Sequence, residues 1–142
     1  MKVRHLCDKD QTRLEHRGSK PNGLWFSVDE AWKHHVLIHP EIFIDGANSL
    51  RYETEVILSS AARCCCLTTA ADIDAITEQF ANKAGATPLF DWTKFAKTFD
   101  AIIITPHCKE RISDGHWYQP WDIACGCVWK ADAATLRQLV PT

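Results

Sequence analysis

The chain has 142 residues, of which 46% are hydrophobic, and a formal net charge of −2. This length and apolar content predict a single domain spanning residues 1–142 and exclude disorder of the whole chain. The slightly negative net charge differs from the excess positive charge that is typical of nucleic-acid-binding domains. No apolar run approaches the roughly 20 residues of a membrane helix, and the opening segment MKVRHLCDKD has no apolar signal region, so we expect a cytoplasmic protein without a membrane partner.

The N-terminal part of the chain predicts two short strands separated by a loop. Residues 2–7 begin with alternating polar and apolar side chains, as in a strand. Residues 8–22 are polar and charged, and they predict a loop that is long for a compact domain. Residues 23–28 are aromatic and β-prone, so they predict the second strand.

A helix and two further strands are predicted next. Asp29 is placed to cap a helix that runs to about residue 37, and Pro40 ends the pattern because it cannot donate to a helix ladder. Residues 50–58 alternate as a half-buried strand does, and residues 64–67 predict another short strand.

Two helices and a buried strand follow. Thr68 or Thr69 is placed to cap the first helix, whose apolar residues recur at helical spacing and which Gly85 is placed to end. Asp91 is placed to cap the second helix. Residues 101–104 form an apolar run typical of a central strand.

The last third of the chain is rich in aromatic residues. Residues 116–129 predict two strands joined by an irregular piece, and residues 132–139 predict a closing helix. Strands and helices do not alternate in strict βαβ units, which favours an α+β fold over a doubly wound sheet. The sequence also has neither the GxGxxG nor the GxxxxGK[ST] phosphate-binding pattern.

Seven cysteines are present, and Cys64, Cys65 and Cys66 are adjacent. A secreted disulfide framework usually has an even number of spaced cysteines. We therefore expect reduced and mostly buried thiols, as in an intracellular protein.

Three segments together resemble a known group of proteins. They are RHLC at 4–7, KPNGLWFS at 20–27 followed by Trp32, and the segment from Trp117 to Trp129 that contains WDIACGCVW. The combination is similar to small bacterial and bacteriophage proteins whose layout resembles the ADP-ribosyltransferase fold. The resemblance implies an α+β domain with two small packed, mainly antiparallel sheets, flanking helices and a cleft between the sheets.

The same resemblance implies an activity. Such enzymes cleave the nicotinamide–ribose bond of NAD, as transferases or as glycohydrolases, so NAD is the expected substrate. The acceptor stays open among protein, nucleic acid, a small molecule and water. A bacteriophage protein of this kind would act in the host cytoplasm.

The resemblance also implies which residues of this sequence occupy the functional positions of the family. In the diphtheria-toxin-like and poly-ADP-ribose-polymerase-like branches, a His ends the first strand, a second strand bears an aromatic residue and a Ser, and a late strand bears an acid, most often Glu. The matching residues are His5 for a ribose hydroxyl, Trp25 or Phe26 for the nicotinamide ring, Ser27 for support and Asp122 for catalysis.

These residues also have structural interpretations that the sequence leaves open. His5 would be half-buried and bonded to backbone, Ser27 would belong to a helix cap, and Asp122 would bond to a turn. At least one of the two adjacent aromatic residues is expected to face the core. Arg4 suits an anionic phosphate of NAD and equally an exposed strand position.

Other sites compete with this one. Glu53 and Glu55 lie on one strand face and would form a paired-carboxylate site or a solvated face. A zinc site is conceivable from residues that include His107, Cys108, His116 and the pair Cys125 and Cys127, although structural zinc prefers C-x₂₋₄-C spacing. His35 and His39 lack a surrounding HExxH motif, and pairing of any of seven cysteines with any of seven histidines gives no specific sign of a cysteine nucleophile.

The alternative to an enzyme is an interaction protein. A phage or mobile-element protein would then bind and block a host partner without chemistry. Six tryptophans in 142 residues support this alternative, because tryptophan is enriched in interface hot spots.

Overall fold

A computed structural model describes residues 3–5, 21, 23–38, 53–82, 89–112 and 116–139, and the side chains of these residues except at 3–5, 36, 53, 82, 89 and 139. Within these ranges the chain forms nine strands in two sheets together with three α-helices. The α+β class and the two mainly antiparallel sheets predicted from the sequence are confirmed. The finer prediction, an ADP-ribosyltransferase-like fold with a cleft between the sheets, stays a prediction.

The elements have the following bounds. The strands are β1 Val3–His5, β2 Leu24–Val28, β3 Glu53–Leu58, β4 Cys64–Leu67, β5 Ala81–Asn82, β6 Leu89–Phe90, β7 Ala101–Ile104, β8 Cys125–Val128 and β9 Ala134–Leu139. The α-helices are α1 Ala31–Ile38, α2 Ala70–Phe80 and α3 Trp92–Thr98, and short 3₁₀ helices span Lys109–Arg111 and Ala131–Ala133.

Seven strands form the main sheet in the order β4-β7-β8-β2-β1-β3-β9, and β5 pairs with β6 in a two-stranded sheet. Of the neighbouring pairs in the main sheet, β4 and β7 are parallel and the others are antiparallel. The order brings β1, β2 and β8 side by side, although β8 follows the first two strands late in the sequence. Segments from both ends of the chain therefore meet in the middle of the sheet.

The two faces of the sheet carry two different cores. An aromatic cluster occupies one face, and its ring-bearing members are Phe80, Phe90, Trp92, Phe95, Trp117, Tyr118, Trp121 and Trp129. An aliphatic cluster occupies the other face, with Phe26, Val28, Val56, Ala101, Ile103, Val128 and Ala133. Because side chains alternate along a strand, neighbouring residues of β7 contribute to opposite clusters.

Gly126 lies where β8 is enclosed by its two neighbours. It is aligned with Ile103 of β7 and with Phe26 of β2. A Cβ atom at this position would overlap the Phe26 ring and would lie 2.5 Å from the carbonyl oxygen of Ile102. Glycine is therefore required here, because the Phe26 ring lies directly over the backbone of β8.

The predicted helix caps at two positions are confirmed. Thr69 caps α2 in a capping box, since its hydroxyl accepts from the Asp72 N–H and the Asp72 carboxylate accepts from the Thr69 N–H. Asp91 caps α3 by accepting from the Lys94 N–H at 3.0 Å. Asp29 takes a left-handed conformation with φ of 53°, two residues before α1 begins at Ala31, and its role as the cap of α1 stays a prediction. Gly85 lies outside the described residues.

Two predictions near the C-terminal end were wrong. Residues 134–139 form a strand instead of a helix, because six consecutive residues pair with β3. The stretch 117–120 is a hydrogen-bonded turn instead of a strand, and Trp121 donates its N–H to the Tyr118 carbonyl at 3.0 Å. The strand at 134–139 depends on pairing with a distant segment that local propensity does not contain, whereas the turn is closed by a local hydrogen bond.

Asp100 joins three strands at one end of the sheet. Its buried carboxylate accepts from the Arg63 backbone N–H and from the Arg63 guanidinium, each at 2.9 Å. Its own N–H donates to the Arg63 carbonyl, and its carbonyl accepts from the Trp129 N–H. These bonds from Arg63 hold the pKa of the Asp100 carboxyl below its usual range.

We expect Gly126→Ala to lower the free energy of unfolding by about 1–3 kcal/mol, because the added methyl group forces the Phe26 ring or the β7 backbone to move. Chemical denaturation followed by circular dichroism measures the change. Thr135→Ala, at an exposed site on β9, is the control and should change stability by less than about 0.5 kcal/mol. Equal effects of the two substitutions would contradict the close packing at Gly126.

We expect Asp100→Asn to lower the free energy of unfolding by about 2 kcal/mol near neutral pH, because it weakens charged hydrogen bonds to Arg63. Since the folded-state pKa of Asp100 is lowered, its contribution is complete above about pH 5 and is lost as pH falls through the folded pKa. Denaturation curves of wild type and variant should therefore converge in acid. Asp132→Asn, on an exposed carboxylate, is the control, and a pH-independent difference between wild type and Asp100→Asn would contradict the assignment.

Candidate functional site

The three segments that carry the resemblance lie in contact in the main sheet. Phe26 of β2 is aligned with His5 of β1 on one side and with Gly126 of β8 on the other. The turn that precedes β8 packs back onto β2, where the Trp25 and Trp121 ring centroids lie 4.9 Å apart in an edge-to-face arrangement. Segments separated by most of the sequence are thus brought to one place.

Trp25 and Phe26 lie on opposite faces of the sheet. Trp25 is partly exposed, packs against the aromatic cluster and donates its indole N–H to the Pro21 carbonyl at 3.3 Å. Phe26 is completely buried in the aliphatic cluster. The expectation that one of the two faces the core is therefore met by Phe26, and Trp25 is the aromatic side chain with accessible surface.

Ser27 is completely buried, two residues along β2 from Trp25 and on the same strand face. Its hydroxyl has no hydrogen-bond partner among the described residues, and the same is true of the indole N–H groups of Trp92 and Trp121. Ser27 lies inside β2, so it is not the cap of α1. An unpaired buried hydroxyl is unusual, because desolvation without a partner costs free energy.

Asp122 is exposed, although its neighbours are apolar. Trp121 before it is completely buried, and Ile123 after it packs against the aromatic cluster. Within the part of the chain that the structure describes, no hydrogen bond or ion pair occupies the Asp122 carboxylate. The exposed Asp122 side chain thus directly follows a tryptophan that is anchored in the aromatic cluster.

The position of the Asp122 segment depends on contacts that sequence reasoning missed. The His107 ring nitrogen Nε2 lies 2.5 Å from the Trp121 carbonyl oxygen and is placed to donate to it. The Tyr118 hydroxyl accepts from the Cys108 N–H at 2.9 Å, and burial raises the Tyr118 pKa to about 12. The sequence has no local signal for these contacts, because they join separate segments of the chain.

The turn is also tied to α2. The Trp117 indole N–H donates to the Thr77 hydroxyl at 2.7 Å, and that hydroxyl donates to the Ile73 carbonyl at 2.6 Å. The His116 nitrogen Nδ1 accepts from the Tyr118 N–H at 3.1 Å, and burial lowers the pKa of His116. These bonds fix the turn from both sides.

Arg4 and His5 are placed only by their backbone. Arg4 is aligned with Ser27 on β2 and with Glu55 on β3, and His5 is aligned with Phe26. Their side chains lie outside the described residues, as does the predicted loop 8–22 except for Pro21. The predicted approach of His5 to Asp122 therefore stays a prediction.

The structure describes part of the residues of the competing carboxylate and zinc sites. The Glu55 carboxylate forms an ion pair with Arg137 on β9, and the Glu53 side chain lies outside the described residues. Cys127 is completely buried, while His107 is engaged with the Trp121 carbonyl. No group of three or more His, Cys, Asp or Glu side chains that could hold a metal ion occurs in the described ranges. His39 falls outside them.

The six cysteines in the described ranges are not joined in disulfide bonds. Three of them, Cys65, Cys125 and Cys127, are buried, whereas Cys66 is exposed. None of the helices found in the described ranges is long and apolar enough to cross a membrane. Comparison with protein-family models, curated proteins and solved structures found no match to this chain.

We expect Ser27→Ala to leave the free energy of unfolding unchanged or to raise it by up to about 1 kcal/mol, because it removes a buried hydroxyl that lacks a partner. Thermal denaturation by calorimetry measures this change. Thr77→Ala is the comparison, since it removes a hydroxyl that bonds Trp117 and Ile73, and it should be destabilising. A loss of more than about 1 kcal/mol in Ser27→Ala would show that this hydroxyl is bonded in the folded protein.

Proposed function

We propose that the chain cleaves the nicotinamide–ribose bond of NAD, as an ADP-ribosyltransferase or an NAD glycohydrolase. The observation that carries the proposal is the packing of Trp121 onto the partly exposed Trp25, because Trp121 directly precedes the exposed Asp122 in the sequence. These residues come from two of the segments that resemble the enzyme family.

Asp122 is proposed as the catalytic carboxylate. Cleavage of this bond proceeds through a transition state with oxocarbenium character, as in glycoside hydrolysis. A preorganised carboxylate stabilises the positive charge that develops on the ribose. The buried Trp121 and the His107 contact to its carbonyl hold the backbone before Asp122, which supports the preorganisation that this role needs.

Trp25 is proposed to stack on the nicotinamide ring. The ring is flat and cationic in NAD, and such a ring favours the face of an aromatic side chain. The indole is fixed by its hydrogen bond to Pro21 and by edge-to-face packing on Trp121, so little side-chain freedom is lost on binding. Phe26 takes no part in stacking in this proposal, because it lies in the opposite core.

The remaining family positions complete the proposal. Ser27 would support the pocket through its unpaired hydroxyl, which lies on the strand face of Trp25. Arg4, aligned with Ser27, would bind a phosphate of NAD. His5 takes no part in this proposal, because its register position opposite Phe26 lies on the other strand face from Trp25. The acceptor of the ADP-ribose group is left to experiment.

We expect Asp122→Ala to reduce nicotinamide release from NAD by about 10²–10³-fold, as removal of one preorganised electrostatic group does in other enzymes. Chromatography of NAD incubated with the protein, with candidate protein and nucleic-acid acceptors present, measures the release. Asp122→Glu should retain activity, since Glu is the usual acid of the resembled family.

The matched control for this experiment is Asp132→Ala, which removes another exposed carboxylate outside the proposed site. It should release nicotinamide at the wild-type rate. Equal rates in wild type and Asp122→Ala, with both proteins folded by circular dichroism, would contradict the catalytic assignment. Absence of release by wild type with every acceptor would contradict the proposed activity.

A further inference from the structure

The three adjacent cysteines lie in β4, which is the last strand at one end of the main sheet within the described residues. Because side chains alternate along a strand, Cys65 points to the aromatic cluster, whereas Cys64 and Cys66 share the other face. Cys64 is partly buried against the aliphatic cluster and Cys66 is exposed. This strand therefore presents two free thiols side by side at a sheet edge.

The separation of these two thiols matches a specific ligand geometry. The Sγ atoms of Cys64 and Cys66 lie 3.8 Å apart. Two thiolates bound to one Zn²⁺ ion at about 2.3 Å with a tetrahedral angle are about 3.8 Å apart. A disulfide would require the sulfur atoms to approach to about 2.0 Å, so the observed arrangement suits a shared ion better than a covalent bond.

We propose that Cys64 and Cys66 chelate one thiophilic divalent ion of the zinc class at the edge of the sheet. The chain supplies two of the four ligands, and water supplies the other two on the exposed side of Cys66. Binding converts two thiols and one Zn²⁺ into a zinc dithiolate and two protons, with no change in oxidation state. The site is independent of the proposed NAD-cleaving site.

The backbone holds the two ligands in place. Cys64 and Cys66 are aligned with Ala101 and Ile103 of β7 in a regular parallel ladder. Asp100 and Arg63 fix the beginning of both strands through paired backbone and side-chain bonds. The sulfur atoms are therefore preorganised, which reduces the ordering cost of chelation. Because burial raises the Cys64 pKa to about 12, the ion must displace a firmly held proton at neutral pH.

Titration of the reduced protein with Co²⁺ under anaerobic conditions tests the chelate. We expect a thiolate-to-cobalt charge-transfer band in the near ultraviolet that saturates at one ion per chain and disappears when Zn²⁺ is added. Added imidazole should shift the visible cobalt bands, because it replaces water in an open position. Visible cobalt bands that do not change when imidazole is added would contradict the proposal that two coordination positions are occupied by water.

Matched variants distinguish metal binding at Cys64 and Cys66 from metal binding at the other cysteines. Cys66→Ala should lose the band and weaken zinc binding by more than about tenfold, whereas Cys66→His should restore binding with a weaker band, since one thiolate remains. Cys108→Ala is the control, because it removes a partly buried thiol outside β4 and should bind as wild type does. Unchanged binding by a folded Cys66→Ala variant, or no band in wild type, would overturn the proposal.

Discussion

The close packing of the Phe26 ring over Gly126 is the constraint on which the rest of the structure depends. It leaves no room for a side chain on β8 at the point where that strand crosses between β7 and β2. The register of β8 is thereby fixed on both sides. Because the turn leads directly into β8, the position of Trp121 against Trp25 depends on a glycine that makes no contact with either ring through a side chain of its own.

The aromatic cluster gives this arrangement its rigidity and accounts for the unusual tryptophan content. Four of the six tryptophans are buried in it, namely Trp92, Trp117, Trp121 and Trp129. The tryptophan count had supported an interaction protein, but most of these side chains fill a core and present little surface to a partner. The cluster also explains how an exposed carboxylate can be positioned on a segment without regular secondary structure, since the aromatic residue before Asp122 is anchored in the core.

The sequence predicted those features whose cause is local. Thr69 and Asp91 lie at helix starts because each side chain bonds an N–H three residues away, and the apolar run 101–104 is buried because it has no polar side. The strand at 134–139 was missed because its pairing partner β3 is far away in sequence. The sequence predicted that at least one of Trp25 and Phe26 faces the core. It did not predict which one, because the choice of Phe26 depends on the position of Gly126 in β8. The contact between His107 and Trp121 has no local signal.

The central proposal is that the chain binds NAD with the nicotinamide ring against Trp25 and uses Asp122 as the catalytic carboxylate. The most direct measurement is the indole N–H spectrum of the ¹⁵N-labelled protein during titration with NAD or a non-cleavable NAD analogue, with resonances assigned by Trp→Phe substitution. The account predicts that the Trp25 resonance shifts with a saturable dependence on ligand and that the resonance of Trp129, which bonds Phe99 inside the aromatic cluster, stays in place. An unchanged Trp25 resonance at saturating ligand would contradict the account.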